Sequence, residues 1–324
     1  MIRYSIVIPV YNVELYLEDC LNSIIAQDSA SIWEAILIDD GSTDESGHIC
    51  DVYAARDIRF RVIHQNNQGL PSARNTGMEV ATGEYLLFLD SDDIWKPELL
   101  SFLDGEINDK SDIIGFQYEN CDETGYILET APSICLHSTQ GCQSGKMWLK
   151  MQIESGYGFP SCVWRMAYRT AFINQEKLRF DESLKCAEDD DFNTRAIMRA
   201  ISIRVIDKKL YIYRCRKDSI VHTMSIEKRA DVLEVIKRIF YMMPIGAVAD
   251  TFFGSAIRMS TYGSRNETQC LAKLYYDNIE IVQNVTSIKR KVCCCLIDIL
   301  DVYTVSKLYM TLNQIKTLFR RWLL

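Results

Sequence analysis

A cluster of acids at residues 90–93 (DSDD) directly follows an apolar run at residues 86–89 (LLFL). Such a run is typical of a strand that is buried on both faces of a parallel sheet, and open α/β sheets bind ligands beyond the carboxyl ends of their strands. Hard oxygen ligands favour Mg²⁺ or Mn²⁺, and Mg²⁺ commonly joins one or two carboxylates to substrate phosphates. We therefore expect a metal-bound nucleotide diphosphate at Asp90 and Asp92. The alternative is that Asp92 or Asp93 caps a helix.

The elements that would position this cluster alternate between strand and helix over the first hundred residues. Apolar runs predict four strands, at residues 5–10, 35–38, 60–63 and 86–89. The segments between them have helical patterns, and Pro71 suits the first turn of the third helix. This alternation predicts a parallel α/β unit. No glycine-rich dinucleotide or P-loop sequence follows Val10, which counts against those two kinds of site.

The pattern loosens beyond residue 99. Further strands are predicted at residues 112–118, 126–129, 203–206 and 210–213, and a helical pattern extends from residue 226 to the end. A second acid cluster, residues 188–191 (EDDD), opens a helix; acids there also complement a helix N-terminus. We expect two halves of one α/β domain at residues 1–105 and 106–225, followed by a helical region at residues 226–324.

Composition excludes several classes of protein. The chain has 324 residues and a net charge of −8, which argues against nucleic acid as the main partner. No run of eighteen apolar residues is present, and the N-terminus lacks the features of a signal peptide. The twelve cysteines form no CxxC pair, so we expect reduced thiols and a cytoplasmic location.

Five short strings, taken together, resemble the successive signatures of the inverting bacterial glycosyltransferases of family 2 type with the GT-A fold. In chain order they are residues 8–12 (IPVYN), 38–44 (IDDGSTD), 69–77 (GLPSARNTG), 90–93 (DSDD) and 188–192 (EDDDF). The order and spacing of the strings are more specific than any one of them. The resemblance covers about residues 5–220. It implies a Rossmann-like, mostly parallel central sheet flanked by helices, with a C-terminal helical extension.

The resemblance also implies a nucleotide-sugar donor site. Its expected residues are Pro9, Tyr11, Asp39, Asp40, Arg74, Asp90 and Ser91. In that family Tyr11 and Asp40 would hold the nucleobase, Asp90 the ribose, and Asp92 a Mn²⁺ or Mg²⁺ ion that bridges the phosphates. Arg74 would approach the diphosphate or ribose; its alternative is a surface ion pair. Asp39 and Asp40 could instead cap the helix that follows them.

The acceptor side would use the second acid cluster. With Glu188 beside it, Asp189 is expected to be the general base that takes the proton of the attacking hydroxyl, although its neighbours Asp190 and Asp191 leave that assignment open. Trp164 would stack on a sugar ring or simply fill the core.

Two basic segments carry further predictions. Arg214 and Arg216 would close over the diphosphate as a lid does, or form an ordinary solvated turn. Residues 289–291 and 315–324 combine basic and apolar residues, which suits an anionic membrane surface. The alternative is packing against the protein or against a second copy in a homodimer.

The sequence therefore predicts a metal-dependent transfer of a sugar from a nucleotide sugar, first of all a UDP-sugar, to a glycan or lipid-linked acceptor in the synthesis of a surface polysaccharide. A sugar nucleotidylyltransferase and a non-catalytic carbohydrate-binding protein are the alternatives. The identities of the sugar, the acceptor and the linkage do not follow from these residues.

Overall fold

The structure is a computed structural model that describes residues 2–107, 111–129, 135–139, 141–216, 225–252, 255 and 277–286. The chain divides into two compact units. The first comprises Met1–Leu184 and Glu188–His222, and the second comprises Lys185–Ala187 and Thr223–Leu324.

The first unit contains a mixed sheet of eight described strands. These are β1 (Tyr4–Val10), β2 (Trp33–Asp39), β3 (Phe60–His64), β4 (Tyr85–Phe88), β5 (Ile94–Trp95), β6 (Ile113–Cys121), β7 (Met166–Arg169) and β8 (Ile203–Arg214). Its helices are α1 (Leu17–Ile25), α2 (Ser46–Arg56), α3 (Leu70–Val80), α4 (Leu99–Glu106), α5 (Gly145–Glu154), α6 (Thr170–Gln175) and α7 (Glu188–Arg199).

The strand order places the ends of β1 and β4 beside each other. The order is β3-β2-β1-β4-β7-β6-β8-β5, and the first four strands pair in parallel. The chain leaves β1 toward β2 and β3 on one side and later returns to β4 on the other side. The crevice between β1 and β4 is therefore a topological switch point, where open α/β sheets bind ligands. The predicted parallel α/β unit is confirmed.

Strands β5 and β7 were not predicted, and two of the predicted regions differ from the structure. Residues 126–129 form no strand; one isolated bridge joins Cys121 to Ile127. The two short strands predicted at 203–206 and 210–213 are one strand, β8, and its register against β6 shifts between Gly115 and Tyr118. This irregularity accommodates the polar residues 207–209, which interrupt the apolar pattern in the sequence.

Helix α3 packs against β1 through Gly77, whose backbone lies against the side chain of Val7. A Cβ atom at Gly77 would lie 2.4 Å from Cγ1 of Val7, so no larger residue fits without a shift. The helix begins after Gly69, whose φ of 90° is readily adopted only by glycine, and Pro71 stands in its first turn. Arg74 is consequently held against the sheet, close to the ends of the strands.

The second unit contains the described helices α8 (Ile226–Met242) and α9 (Ile279–Gln283). Ser225 caps α8 by accepting a hydrogen bond from the backbone N–H of Lys228, and Leu233, Ile236 and Ile239 are buried. Within the described residues, no helix is long and apolar enough to cross a membrane. The basic segments at 289–291 and 315–324 lie outside the described residues.

Candidate active site

Arg74 joins the two predicted acid clusters. Its side chain is buried, with 1% exposed. Nη2 donates to Oδ1 of Asp90 at 3.0 Å, while Nη1 donates to Glu188 at 3.1 Å and to Oδ1 of Asp189 at 2.5 Å. Burial disfavours the charge on Arg74, but the surrounding carboxylates outweigh it and raise its pKa. The carboxylates that follow β4 and those that open α7 therefore lie around one cation.

Asp189 has the acid–base properties of a group that titrates near neutral pH. Burial raises its pKa to about 7, with Arg74 acting in the opposite direction and the charges of Glu188 and Asp90 adding to the rise. Its Oδ2 accepts the backbone N–H of Val163 at 3.2 Å. Cys162, the residue before Val163, has a φ of 72°, a strained conformation of the kind that clusters at functional sites.

The two acids that follow Asp189, Asp190 and Asp191, have different partners. Oδ1 of Asp190 accepts the hydroxyl of Ser161 at 2.5 Å, and burial raises the pKa of Asp190 to about 6. Asp191 is buried and accepts Nε of Arg195 at 2.8 Å, one turn along α7. Asp189 is the member of this trio that binds the same guanidinium as Asp90, which favours it as the base.

Asn75 and an aromatic cluster fix the segment that leads to α7. Asn75 binds both backbone groups of Phe180: its Oδ1 accepts the N–H at 2.9 Å and its Nδ2 donates to the carbonyl at 3.0 Å. Phe180 stacks on Phe192 at 4.2 Å, and Phe88 of β4 meets the Phe180 ring edge-on at 5.4 Å. No role was predicted for Asn75 or Phe180, although Asn75 directly follows the predicted site residue Arg74 in the sequence.

Asp93 stabilises the turn at residues 90–93 through its buried carboxylate. Its carboxylate is fully buried and accepts the hydroxyl of Tyr211 at 2.7 Å and the backbone N–H of Arg214 at 2.8 Å. Burial and the neighbouring acids raise the pKa of Asp93 well above its ordinary value. Asp93 thus supports the turn, whereas Asp90 and Asp92 have arginine partners.

Arg214 and Arg216 both lie at this turn. Arg214 is buried; its Nε donates to the carbonyl of Asp92 at 2.9 Å and its Nη2 to Asp19 at 3.0 Å. Nε of Arg216 lies 2.8 Å from Oδ2 of Asp92. Both guanidinium groups contact the ring of Tyr16, with centroid distances of 5.2 Å and 5.0 Å. Both side chains are more buried than those of a solvated turn, and their contact with a diphosphate stays a prediction.

The chemistry of Asp90 and Asp92 fits a hard divalent cation. Burial, followed by the charge of Asp90, raises the pKa of Asp92, while Arg216 and Arg214 act in the opposite direction. In the described part of the chain no group of three or more His, Cys, Asp or Glu side chains is arranged to hold a metal by itself. Two carboxylates suffice where substrate phosphates complete the coordination.

The carboxylate of Asp40 accepts hydrogen bonds from the segment that precedes α3. Its Oδ1 accepts Nε2 of Gln65 at 2.7 Å and the N–H of Gln68 at 2.9 Å, and its Oδ2 accepts the N–H of Gly69 at 2.8 Å. Each carboxylate oxygen has two acceptor positions, so Oδ2 retains capacity for a ligand. The side chain of Asp40 therefore fixes the loop that starts α3 and remains compatible with its predicted role.

Asp39 forms a hydrogen-bonded chain with His64 and Asp51. Its carboxylate accepts the N–H of Ser42 at 3.0 Å and contacts Nδ1 of His64 at 2.8 Å. Nε2 of His64 lies 3.1 Å from Asp51. Burial opposes ionisation of Asp39, but the hydrogen bonds from Ser42 and His64 outweigh it and lower its pKa. Asp39 thus anchors the loop between β2 and α2.

The loops after β1 and β2 bind each other beside Tyr11. Oδ1 of Asn12 accepts the N–H of Thr43 at 2.8 Å, and the N–H of Val13 donates to the hydroxyl of Ser46 at 2.9 Å. Tyr11 is 49% exposed, as a side chain available to a ligand would be. Pro9 and Ser91 are buried.

Trp164 lies in the core, in agreement with the alternative reading of its sequence context. It is 4% exposed and stacks on Tyr211 at 4.1 Å and on Tyr213 at 5.8 Å, with the edge of Tyr118 at 5.1 Å. Trp164 therefore contributes to the site by packing in the core next to Val163, its neighbour in the chain.

Comparison with known proteins identifies relatives. Residues 5–170 match the family model described as Glycosyl transferase family 2. A Bacillus subtilis protein named uncharacterized glycosyltransferase EpsJ is 37% identical over 219 residues, 67% of this chain and 62% of that protein. The chain thus spans about three-fifths of that relative. Glycosyltransferase GlyG of Streptococcus pneumoniae is 32% identical over 245 residues, 72% of this chain and 78% of GlyG.

A solved structure matches nearly the whole chain. The crystal structure of Staphylococcus aureus TarS 1–349 in complex with UDP-GlcNAc has a TM-score of 0.76 at 22% identity and covers 96% of this chain and 92% of that one. TarS is named a poly(ribitol-phosphate) beta-N-acetylglucosaminyltransferase. At this identity the likeness shows the fold, and the predicted GT-A architecture is confirmed.

Proposed function

The chain belongs to glycosyl transferase family 2, and we propose that it is an inverting glycosyltransferase that moves a sugar from a nucleotide diphosphate sugar to an acceptor hydroxyl. The observation that carries the proposal is the position of Arg74, which binds Asp90 from the donor side and Asp189 from the acceptor side. This contact brings the proposed base close to a donor-binding acid, and direct displacement at the anomeric carbon needs the base near the bound donor.

The donor would occupy the crevice at the ends of β1 and β4. UDP is the first candidate, supported by the TarS complexes with UDP and UDP-GlcNAc. Tyr11 is exposed for stacking on a base, and Asp40 has acceptor capacity for a base N–H. Asp92, with Asp90, would hold Mn²⁺ or Mg²⁺, which supplies positive charge for the departing diphosphate.

Asp189 would take the proton of the acceptor hydroxyl. A carboxylate with a pKa of about 7 is about half ionised at neutral pH and is a stronger base than an ordinary aspartate. The positive charge of Arg74 opposes the effect of burial and keeps the pKa of Asp189 from rising further. Inversion needs one such carboxylate and no covalent intermediate, unlike a retaining glycosidase.

The acceptor class is the least constrained part of the proposal. A glycan or lipid-linked glycan of a surface polysaccharide is supported by the resemblance to family members with such roles and by the polymer named for TarS. The cytoplasmic location, the membrane contact of the C-terminal tail and a homodimer stay predictions.

The test is a screen of nucleotide sugars with Mn²⁺ or Mg²⁺ present. We expect release of the nucleoside diphosphate from one donor, UDP-dependent stabilisation against heat, and loss of both in Asp92→Ala without a lower melting temperature in the absence of ligand. Pyrophosphate formation from a sugar phosphate and a nucleoside triphosphate would indicate a nucleotidylyltransferase instead. Stabilisation by glycans without turnover of any donor would indicate a binding protein.

A further inference from the structure

Tyr211 supports the acid turn with its hydroxyl. The side chain is fully buried in β8, opposite Trp95 of β5 and Tyr118 of β6. Its hydroxyl donates to Oδ2 of Asp93 at 2.7 Å and accepts the backbone N–H of Asp90 at 3.3 Å. One oxygen atom therefore ties together the first and the last residue of the turn that presents Asp92.

The ring of the same tyrosine supports the segment behind the proposed base. It stacks on Trp164, with the ring centroids 4.1 Å apart and the planes at 17°. Trp164 directly follows Val163 in a short 3₁₀ turn, and the N–H of Val163 donates to Asp189 at 3.2 Å. The stack of Tyr211 on Trp164 thus supports the 3₁₀ turn whose Val163 N–H donates to Asp189.

We propose that Tyr211 is a positioning residue that serves both halves of the site through two separable groups: the hydroxyl sets the donor-side turn, and the ring sets the acceptor-side base. The inference rests on the proposed function, because it assigns donor binding to the turn at 90–93 and proton transfer to Asp189. The side chain of Tyr211 is fully buried, so neither of its groups is placed to touch a reacting atom.

The two groups can be removed one at a time. Tyr211→Phe deletes the hydroxyl and keeps the ring, which leaves the N–H of Asp90 and the carboxylate of Asp93 each short of one partner. A lost hydrogen bond of this kind corresponds to about tenfold weaker binding of a ligand that depends on the turn. We expect UDP affinity with Mn²⁺ to fall by about that factor, with the donor KM rising in parallel and the apparent pKa of the kcat profile unchanged.

Trp164→Leu removes the stack and keeps the hydroxyl contacts of Tyr211. Since the Val163 N–H lowers the pKa of Asp189, its displacement should move the acidic limb of the kcat profile to higher pH, while UDP affinity stays at the wild-type value. The charged and titratable groups facing Asp189 are Arg74 of α3, Asp90, Cys162, Tyr168 of β7, and Glu188 and Asp190 of α7. None of these side chains is altered by the substitution.

The experiment compares Tyr211→Phe, Trp164→Leu and Trp164→Phe in the full chain, by calorimetric titration of UDP with Mn²⁺ and by pH profiles of donor turnover. Tyr213→Phe is the matched control, because Tyr213 also stacks on Trp164, at 5.8 Å, and should leave both readouts unchanged. If Trp164→Leu does not fold, Trp164→Phe tests the same shift with a smaller expected size.

A clean separation of the two effects supports the proposal. Unchanged UDP affinity in Tyr211→Phe overturns it, as does an identical mixed defect in both variants, which would mean that Tyr211 only stabilises the fold. Failure of the wild-type chain to turn over any nucleotide sugar would count against the proposed function. The UDP titration would still report whether the hydroxyl sets the turn.

Discussion

Nη1 of Arg74 lies 2.5 Å from Oδ1 of Asp189, and Nη2 of the same side chain lies 3.0 Å from Oδ1 of Asp90. The arginine is buried, whereas the two carboxylates keep part of their surface exposed, at 19% and 25%. Arg74 therefore lies behind the acids, where it can position them and neutralise part of their charge. Arg74 was expected at the diphosphate or the ribose, and that direct contact stays a prediction.

Replacing Arg74 by methionine should raise the pKa of Asp189 above about 7, because the charge that opposes burial is lost while Glu188 and Asp90 remain. The acidic limb of the kcat profile should then move to higher pH. Removing one partner of a buried ion pair also destabilises a protein by about 3–5 kcal/mol. Urea unfolding and pH-dependent turnover measure the two effects. Arg74→Lys, which keeps the charge, should shift the profile less; an equal shift in both variants would contradict the electrostatic explanation.

Asp189→Asn should lower kcat by about 10²–10⁴-fold, the usual contribution of a positioned general base, with UDP affinity preserved. Asp190→Asn is the matched control, since its carboxylate binds Ser161 and not Arg74. Both activities are measured by release of the nucleoside diphosphate. A larger loss in Asp190→Asn than in Asp189→Asn would move the base to the neighbouring residue.

Arg216→Gln should change the metal and nucleotide affinities in opposite directions. Nε of Arg216 lies 2.8 Å from Oδ2 of Asp92, so in the absence of ligand the arginine holds the carboxylate that a metal would need. Without that charge, Mn²⁺ alone should bind several-fold more tightly, while UDP should bind more weakly because a cation near the diphosphate is lost. Paramagnetic resonance of free Mn²⁺ and calorimetry with UDP test this. Weaker binding of both ligands would show that Arg216 acts only by holding the turn.

The sequence predicted the elements that depend on local patterns and missed the contacts that depend on tertiary packing. The strands before Tyr11 and Asp90 follow from their apolar runs, and the second of these runs placed Asp90 and Asp92 just beyond a strand end. The burial of Arg74 could not be predicted, because one α3 residue reaches an acid 115 positions away only once the sheet has formed. The double role of Tyr211 was hidden for the same reason.

His64 should make the folding stability depend on pH. Its hydrogen bonds with Asp39 and Asp51 raise its pKa above the ordinary 6.5. A raised pKa in the folded state means that the stabilisation is fully present below about pH 6.5 and is lost as pH rises through the folded-state pKa. The free energy of unfolding of the wild type should therefore exceed that of His64→Asn at pH 6 and converge with it at high pH. Asp51→Asn should reproduce part of the effect, and a difference that does not vary with pH would contradict this account.

Gly77→Ala tests whether the close packing of α3 on β1 determines the position of Arg74 in the site. The added methyl would lie 2.4 Å from Cγ1 of Val7, so the helix must move away from β1 and carry Arg74 with it. Overpacking of this kind costs about 1–3 kcal/mol of stability, and we expect kcat to fall as well. Gly105→Ala is the control: it also lies in a helix but has no atom within 4 Å of the new methyl, and it should be neutral or slightly stabilising.

The double variant Val7→Ala with Gly77→Ala decides between a steric and a conformational cause. Removal of the two Cγ atoms of Val7 makes room for the new methyl group, so the stability and kcat of the double variant should exceed the values expected from adding the two single effects. Additive losses would mean that Gly77 matters for its backbone and not for the close approach of α3 to β1. In that case the position of Arg74 would have to be set mainly by the carboxylates around it.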